Sequence, residues 1–157
     1  MKNMTVDQLK ELLDRETAIR TVKFDNDKLA FFQSVPGFKS ECAFTFIPDQ
    51  AIEMIALILN GETRGLPINK LFLFCNDWNA CRPMPQAFVS TDDLVVARHA
   101  FDNRLDVSTD FIVNTIEFFV RSTLKMFEAL RFFCDSCPDK IVLKDAREQI
   151  KNILRDF

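Results

Sequence analysis

A helix that must stop at two prolines and pass directly into a pair of strands is the strongest constraint in this chain. Residues 66–79 place Ile68, Leu71, Phe74, Cys75 and Trp78 at steps of three and four. That spacing makes one apolar face of a helix. Pro67 suits its first turn, where a backbone N–H has no intrahelical partner. Pro83 and Pro85 forbid continuation, since proline lacks the N–H and clashes with the preceding turn. Residues 86–90 and 94–101 then read as strands joined by a hairpin-type turn at Asp92-Asp93. At the helix end stands Asn76-Asp77-Trp78-Asn79, which holds the only tryptophan.

The rest of the chain supplies more of both element types. Thr5-Val6-Asp7-Gln8 has the pattern of a capping box. Val6, Leu9, Leu12 and Leu13 then predict a short amphipathic helix over 6–15. Residues 19–24, 29–35 and 41–47 read as strands, with turns at Asp25-Asn26-Asp27, Pro36-Gly37 and Pro48-Asp49. Cys42, Phe44 and Phe46 fall on one side of the third strand. Residues 50–60 fit a helix capped by Asp49, and fit a buried strand equally well. Residues 62–65 form a polar loop. Ser108 is positioned to cap a long helix over 109–133. Ile112, Ile116, Phe119, Thr123, Met126 and Leu130 trace one stripe of that helix, and Phe111, Phe118 and Leu124 lie off it. Pro138 and Asp139 open a last helix to about residue 156, basic along one side.

Composition narrows the function. The 157 residues fit one domain, 1–157, with no repeat or linker. Three glycines argue against a phosphate-cradling loop. A net charge of −3 with no basic block argues against nucleic acid as a partner. No apolar run is long enough to span a bilayer and none opens the chain as a leader would, so the expectation is a cytoplasmic protein with no membrane association. Its five cysteines then default to thiols. The 17 phenylalanines, against one tryptophan and no tyrosine, suit dry cores and dry interfaces.

Candidate chemistry is sparse. Cys134-Asp135-Ser136-Cys137 has redox or zinc spacing. Yet Cys134 follows a helix C-terminus, and Asp135 and Asp139 add negative charge, the opposite of what lowers a thiol pKa. A closed zinc site would need two more ligands from Cys42, Cys75, Cys81 and His99. Plain thiols are the simpler reading. His99 has no neighbour in sequence that completes a nucleophile–base pair, and Asp25, Asp27, Asp92 and Asp93 read as turn residues. Asn76 and Asn79 either satisfy backbone groups at the helix end or, with Arg82, line a recognition surface. Trp78 reads first as core.

The element order, with Asn76-Asp77-Trp78-Asn79, Arg82 and the strand pair 87–89 and 94–100, resembles the YbjN-type bacterial domain from about Thr5 to Phe133. That family is similar in fold to type III secretion chaperones, α/β dimers that hold other proteins. The resemblance implies that residues 50–60 are a strand. It implies an α+β fold, one antiparallel sheet with helices packed on it, plus an extra C-terminal helix here. It implies a homodimer, no catalytic residues, no cofactor and a sensory or regulatory role. The expected function is a non-enzymatic protein-binding module with another protein or peptide as partner. Trp78, Asn79, Arg82, Phe111 and Phe118 are the candidate partner-binding residues. A thiol or zinc protein built on Cys134 and Cys137 is the alternative, as is a small-molecule sensor with a Phe-lined pocket. Two features depart from the family pattern: Asn103-Arg104-Leu105-Asp106 replaces a small-residue turn, and the segment after Pro138 is an addition.

Overall fold

The computed structural model describes residues 3–35, 38–58 and 67–136, together with Glu148 and Arg155. The first helix, α1 (Val6–Glu16), begins with the expected capping box. Thr5 Oγ1 accepts from the Gln8 N–H at 3.3 Å, and Gln8 Oε1 accepts from the Thr5 N–H at 2.9 Å. Two donors that the helix leaves unpaired are thereby satisfied. Val6, Leu9, Leu12 and Leu13 form its buried face.

Four strands follow: β1 (Val22–Asp25), β2 (Lys28–Val35), β3 (Phe38–Ile47) and β4 (Ala51–Ile58). Then come α2 (Ile68–Cys81), β5 (Gln86–Val89), β6 (Val95–Asp102) and α3 (Thr109–Ser136). The six strands form one antiparallel sheet in the order β1-β2-β3-β4-β6-β5. Because β6 rather than β5 lies beside β4, the short β5 becomes an edge strand.

Strand periodicity decides which face is covered. Cys42, Phe44 and Phe46 of β3 are buried, as are Ile52, Met54, Ala56 and Ile58 of β4. Phe44 lies opposite Met54, so these side chains share one face. They join buried residues of α1, α2 and α3 in a single core. The strand reading of residues 50–60 is therefore correct for Ala51–Ile58, where every second residue is buried.

The structure departs from the sequence reading at the first strand and on α2. The first strand starts at Val22, not residue 19, because Thr17 Oγ1 accepts from the Ile19 N–H at 3.0 Å and turns the chain after α1. On α2, Leu71, Phe74, Cys75 and Trp78 are buried as expected, but Ile68 is 45% exposed. Ile68 opens the helix. Leu73 is buried in α2 instead, beside Lys70 and Asp77, which interact within the chain. The expected polar loop at 62–65 and the last helix from Pro138 to about residue 156 lie outside the described residues, apart from Glu148 and Arg155.

The long helix α3 carries the core. Ser108 Oγ accepts from the Phe111 N–H at 3.1 Å, the cap its sequence position suggests. All six residues of the expected stripe are buried: Ile112, Ile116, Phe119, Thr123, Met126 and Leu130. Phe127 and Phe133 are buried with them, and Phe133 packs on Phe74 of α2 with ring centroids 5.9 Å apart. Adjacent phenylalanines on α3 should therefore behave oppositely. Phe119→Ala should lower unfolding free energy by about 3–5 kcal/mol, and Phe118→Ala by roughly 0.5 kcal/mol or less at a surface position, both read by urea denaturation at low protein concentration.

Candidate binding surface at the end of α2 and along α3

The helix end that organises the sequence also closes the sheet. Asn79 sits in the last turn of α2 and faces the outer edge of β5. Its side-chain N–H donates to the Ala87 carbonyl at 2.9 Å, and its side-chain carbonyl accepts from the Ala87 N–H at 2.8 Å. The amide thus stands where a neighbouring strand's peptide would be. Trp78 Nε1 donates to the Pro85 carbonyl at 2.8 Å. Two side chains therefore satisfy three backbone groups on an edge that β6 cannot reach. An unpaired edge is a template for unwanted strand addition, and covering it is the usual remedy. Between the two elements the chain turns through Arg82, Pro83 and Met84, with a cis peptide bond from Met84 to Pro85.

Of the two readings of Asn79, the structure gives the amide a backbone partner on both its groups. Trp78 is 2% exposed and stacks on Phe74, so it is core as read from the sequence. Asn76 points outward instead.

Trp78 also lies beneath a surface cleft of about 160 Å³ lined by Arg82, Pro83, Met84, Phe118, Ser122 and Lys125. The cleft brings together Trp78, Arg82 and Phe118, three of the five residues singled out by sequence. Its rim carries two cations, and its floor is apolar. Phe111 is not in this group; it lies two turns before Phe118 on α3. Phe111 is 52% exposed and Phe118 47% exposed, so neither ring is needed by the core. Phe132, which the sequence reading did not single out, is 58% exposed and has an interaction within the chain. Its signal was present: Phe111, Phe118, Lys125 and Phe132 recur at steps of seven, which keeps them on one side of a helix.

A second clip was also missed. Asn103 accepts from the Met4 N–H at 2.9 Å and donates to the Met4 carbonyl at 3.0 Å. It ties Met4 to the turn before α3. Next to it, the Arg104 guanidinium and backbone N–H hold the Asp102 carboxyl down at about 2.

The thiols described give no support to a nucleophile. Burial pushes Cys42 and Cys75 up to about 12, so both are protonated at neutral pH. Cys81 is exposed. Cys134 lies in the last turn of α3, and Cys137 lies outside the described residues. Burial lowers the His99 pKa, favouring the neutral imidazole. Among the described residues no three of His, Cys, Asp and Glu are grouped to hold a metal ion. Nor does any helix among them have the length and apolarity to cross a membrane.

These features define an α+β domain whose one helix-covered sheet face is filled and whose long helix shows surplus aromatic rings. The chain belongs to the YbjN family, described as "Putative bacterial sensory transduction regulator", whose pattern matches residues 5–132. No curated protein matches the sequence. Among solved structures, an uncharacterized protein from Methanothermobacter thermautotrophicus is similar, with 17% identity and a TM-score of 0.48 over 79% of this chain and 94% of that one.

Removing the Asn79 amide should expose its structural weight. Asn79→Ala leaves the Ala87 N–H and carbonyl without their partner, and should destabilise by about 1–3 kcal/mol. Asn76→Ala should stay within about 0.5 kcal/mol. Paired urea titrations of the two variants check this contrast.

Proposed function

We propose that this protein is a non-enzymatic, regulatory protein-binding module, chaperone-like in the sense that it holds another polypeptide, and that it works as a homodimer. The observation that carries the reading is the division of the phenylalanines. Phe44, Phe74, Phe119, Phe127 and Phe133 are fully buried, while Phe24, Phe32, Phe72, Phe88, Phe111, Phe118 and Phe132 are exposed. Phenylalanine has no polar tip that water can satisfy, so rings left outside a well-filled core favour contact with another chain. The family's description as a regulator supports the role in outline.

The small-molecule sensor reading is less favoured by the packing. The space between sheet and helices is taken up by stacked rings, among them Phe31 on Phe44 and Phe74 on Trp78. The thiol reading is left with Cys134, Cys137 and the exposed Cys81, since Cys42 and Cys75 are buried and protonated.

Affinity capture on the intact chain, in extract from its native host, tests the proposal. Wild type should retain a polypeptide in a fixed stoichiometry, by mass spectrometry and light scattering. The Phe111→Ala/Phe118→Ala double variant should retain at least about ten-fold less, the loss that removing roughly 1.4 kcal/mol of contact produces. Equal retention by wild type and variant would remove the exposed rings from the mechanism.

A further inference from the structure

We infer that the cleft between the end of α2 and α3 is the seat of this chain's own Phe157 ring, with the Asp156 carboxylate beside Lys125. The segment after α3 then competes with a bound polypeptide for Phe118. The inference rests on the protein-binding reading above and gives that surface a built-in competitor.

The cleft's chemistry suits an aromatic ring next to an anion. Its volume is about 160 Å³. A cavity of about 150 Å³ is enough for a benzene ring, whereas ligand pockets usually start at roughly 300 Å³. Trp78 and Phe118 in the lining offer a ring aromatic contacts, and Met84 offers a thioether. The rim cations, Arg82 and Lys125, are attracted to the π face of a ring rather than to an aliphatic side chain. Lys125 is exposed, within reach of a carboxylate arriving from outside.

Sequence distance brings Phe157 to this place. The helix α3 ends at Ser136. Pro138 disfavours helical backbone at Cys137, and the expected last helix opens at once after it. Two helices joined by so short a connection run antiparallel. A return centred on Cys137 sets each residue opposite the one equally far before it. Phe157 is 20 residues past Cys137, and 20 residues before it is Glu117, next to Phe118. Both arms rise about 1.5 Å per residue, so the match holds along their length.

Two residues orient the segment. Glu148 and Arg155 are helical and exposed. Seven residues apart, they share one side of a helix. On a helix continued through them, Ala146, Ile150, Ile153 and Phe157 fall on the opposite side, turned toward the domain. The ion pair of Asp156 with Lys125 is solvated and contributes little by itself. Tethering compensates, since a short connection gives a roughly millimolar effective concentration. The ring therefore occupies the cleft within the chain and still yields to a tighter partner.

Carbodiimide coupling on the full chain tests the seat. In the monomer fraction, mass spectrometry should find Asp156 joined to Lys125, with at least ten-fold less of that product in Phe157→Ala. Phe157→Leu should shift the Met84 methyl resonance by removing the ring, and leave that of Met54, buried in the sheet, in place. Asp156 coupled to Lys28 or Lys39 of the sheet and not to Lys125, or a Met84 methyl blind to Phe157→Leu, overturns the seat while leaving the protein-binding reading standing. In capture from host extract, Phe157→Ala should retain at least about three-fold more polypeptide than wild type. Equal retention overturns the competition. Retention by neither chain overturns the competition together with the protein-binding reading, and the coupling and methyl shift still decide the seat.

Discussion

Among the described residues no strand lies beside the outer edge of β5, yet its peptide groups at Pro85 and Ala87 are bonded at 2.8–2.9 Å by Trp78 and Asn79. Much of the architecture depends on that substitution of side chains for a strand. It fixes where α2 ends relative to the sheet. It lets a strand of only four residues survive at an edge. It also holds the Arg82-Pro83-Met84 turn over α3, and so creates the cleft against Phe118. Asn103 repeats the device at the other end of the chain by bonding both backbone groups of Met4. In each case an asparagine amide matches a peptide group in both donor and acceptor, which an ionised aspartate, an acceptor only, cannot do.

Much of this was legible in the residues. Period-two alternation gave β3, and the i, i+3, i+4 stripe gave the buried face of α3 residue for residue. The capping box at Thr5 and the cap at Ser108 stand where hydroxyls precede apolar periodicity. Residues 50–60 were not legible from pattern alone, because a short apolar run fits a buried strand and a buried helix alike. The family resemblance resolved them correctly. Ile68 shows a different limit. Periodicity assigns it to a helix face, but only the tertiary arrangement says how far that face remains covered. Asn79 could be read as a backbone partner or a recognition residue, and its pairing with Ala87 depends on a strand that sequence places without register.

The site divides along the same line. Trp78 was legible as core through its position in the apolar face of α2. Lying off the α3 stripe left Phe111, Phe118 and Leu124 open to a second core contact or to a partner; Phe111 and Phe118 are exposed, whereas Leu124 packs against the core. What sequence could not show is that Arg82 and Phe118, 36 residues apart, meet across one cleft. Of the seven exposed rings among the described residues, three lie on α3, at spacings of seven and fourteen residues. Register, rather than the amount of exposed apolar surface, singles out that face, since isolated exposed apolar residues are ordinary in folded proteins.

Amide hydrogen exchange at Ala87 examines the edge closure most directly. Held by the Asn79 carbonyl, the Ala87 N–H should exchange as slowly as the ladder-bonded amides of β6, and the Asn79 side-chain amide protons should be protected with it. An Ala87 amide that exchanges at the rate of an open loop, in a chain whose β6 amides remain protected, would contradict the account.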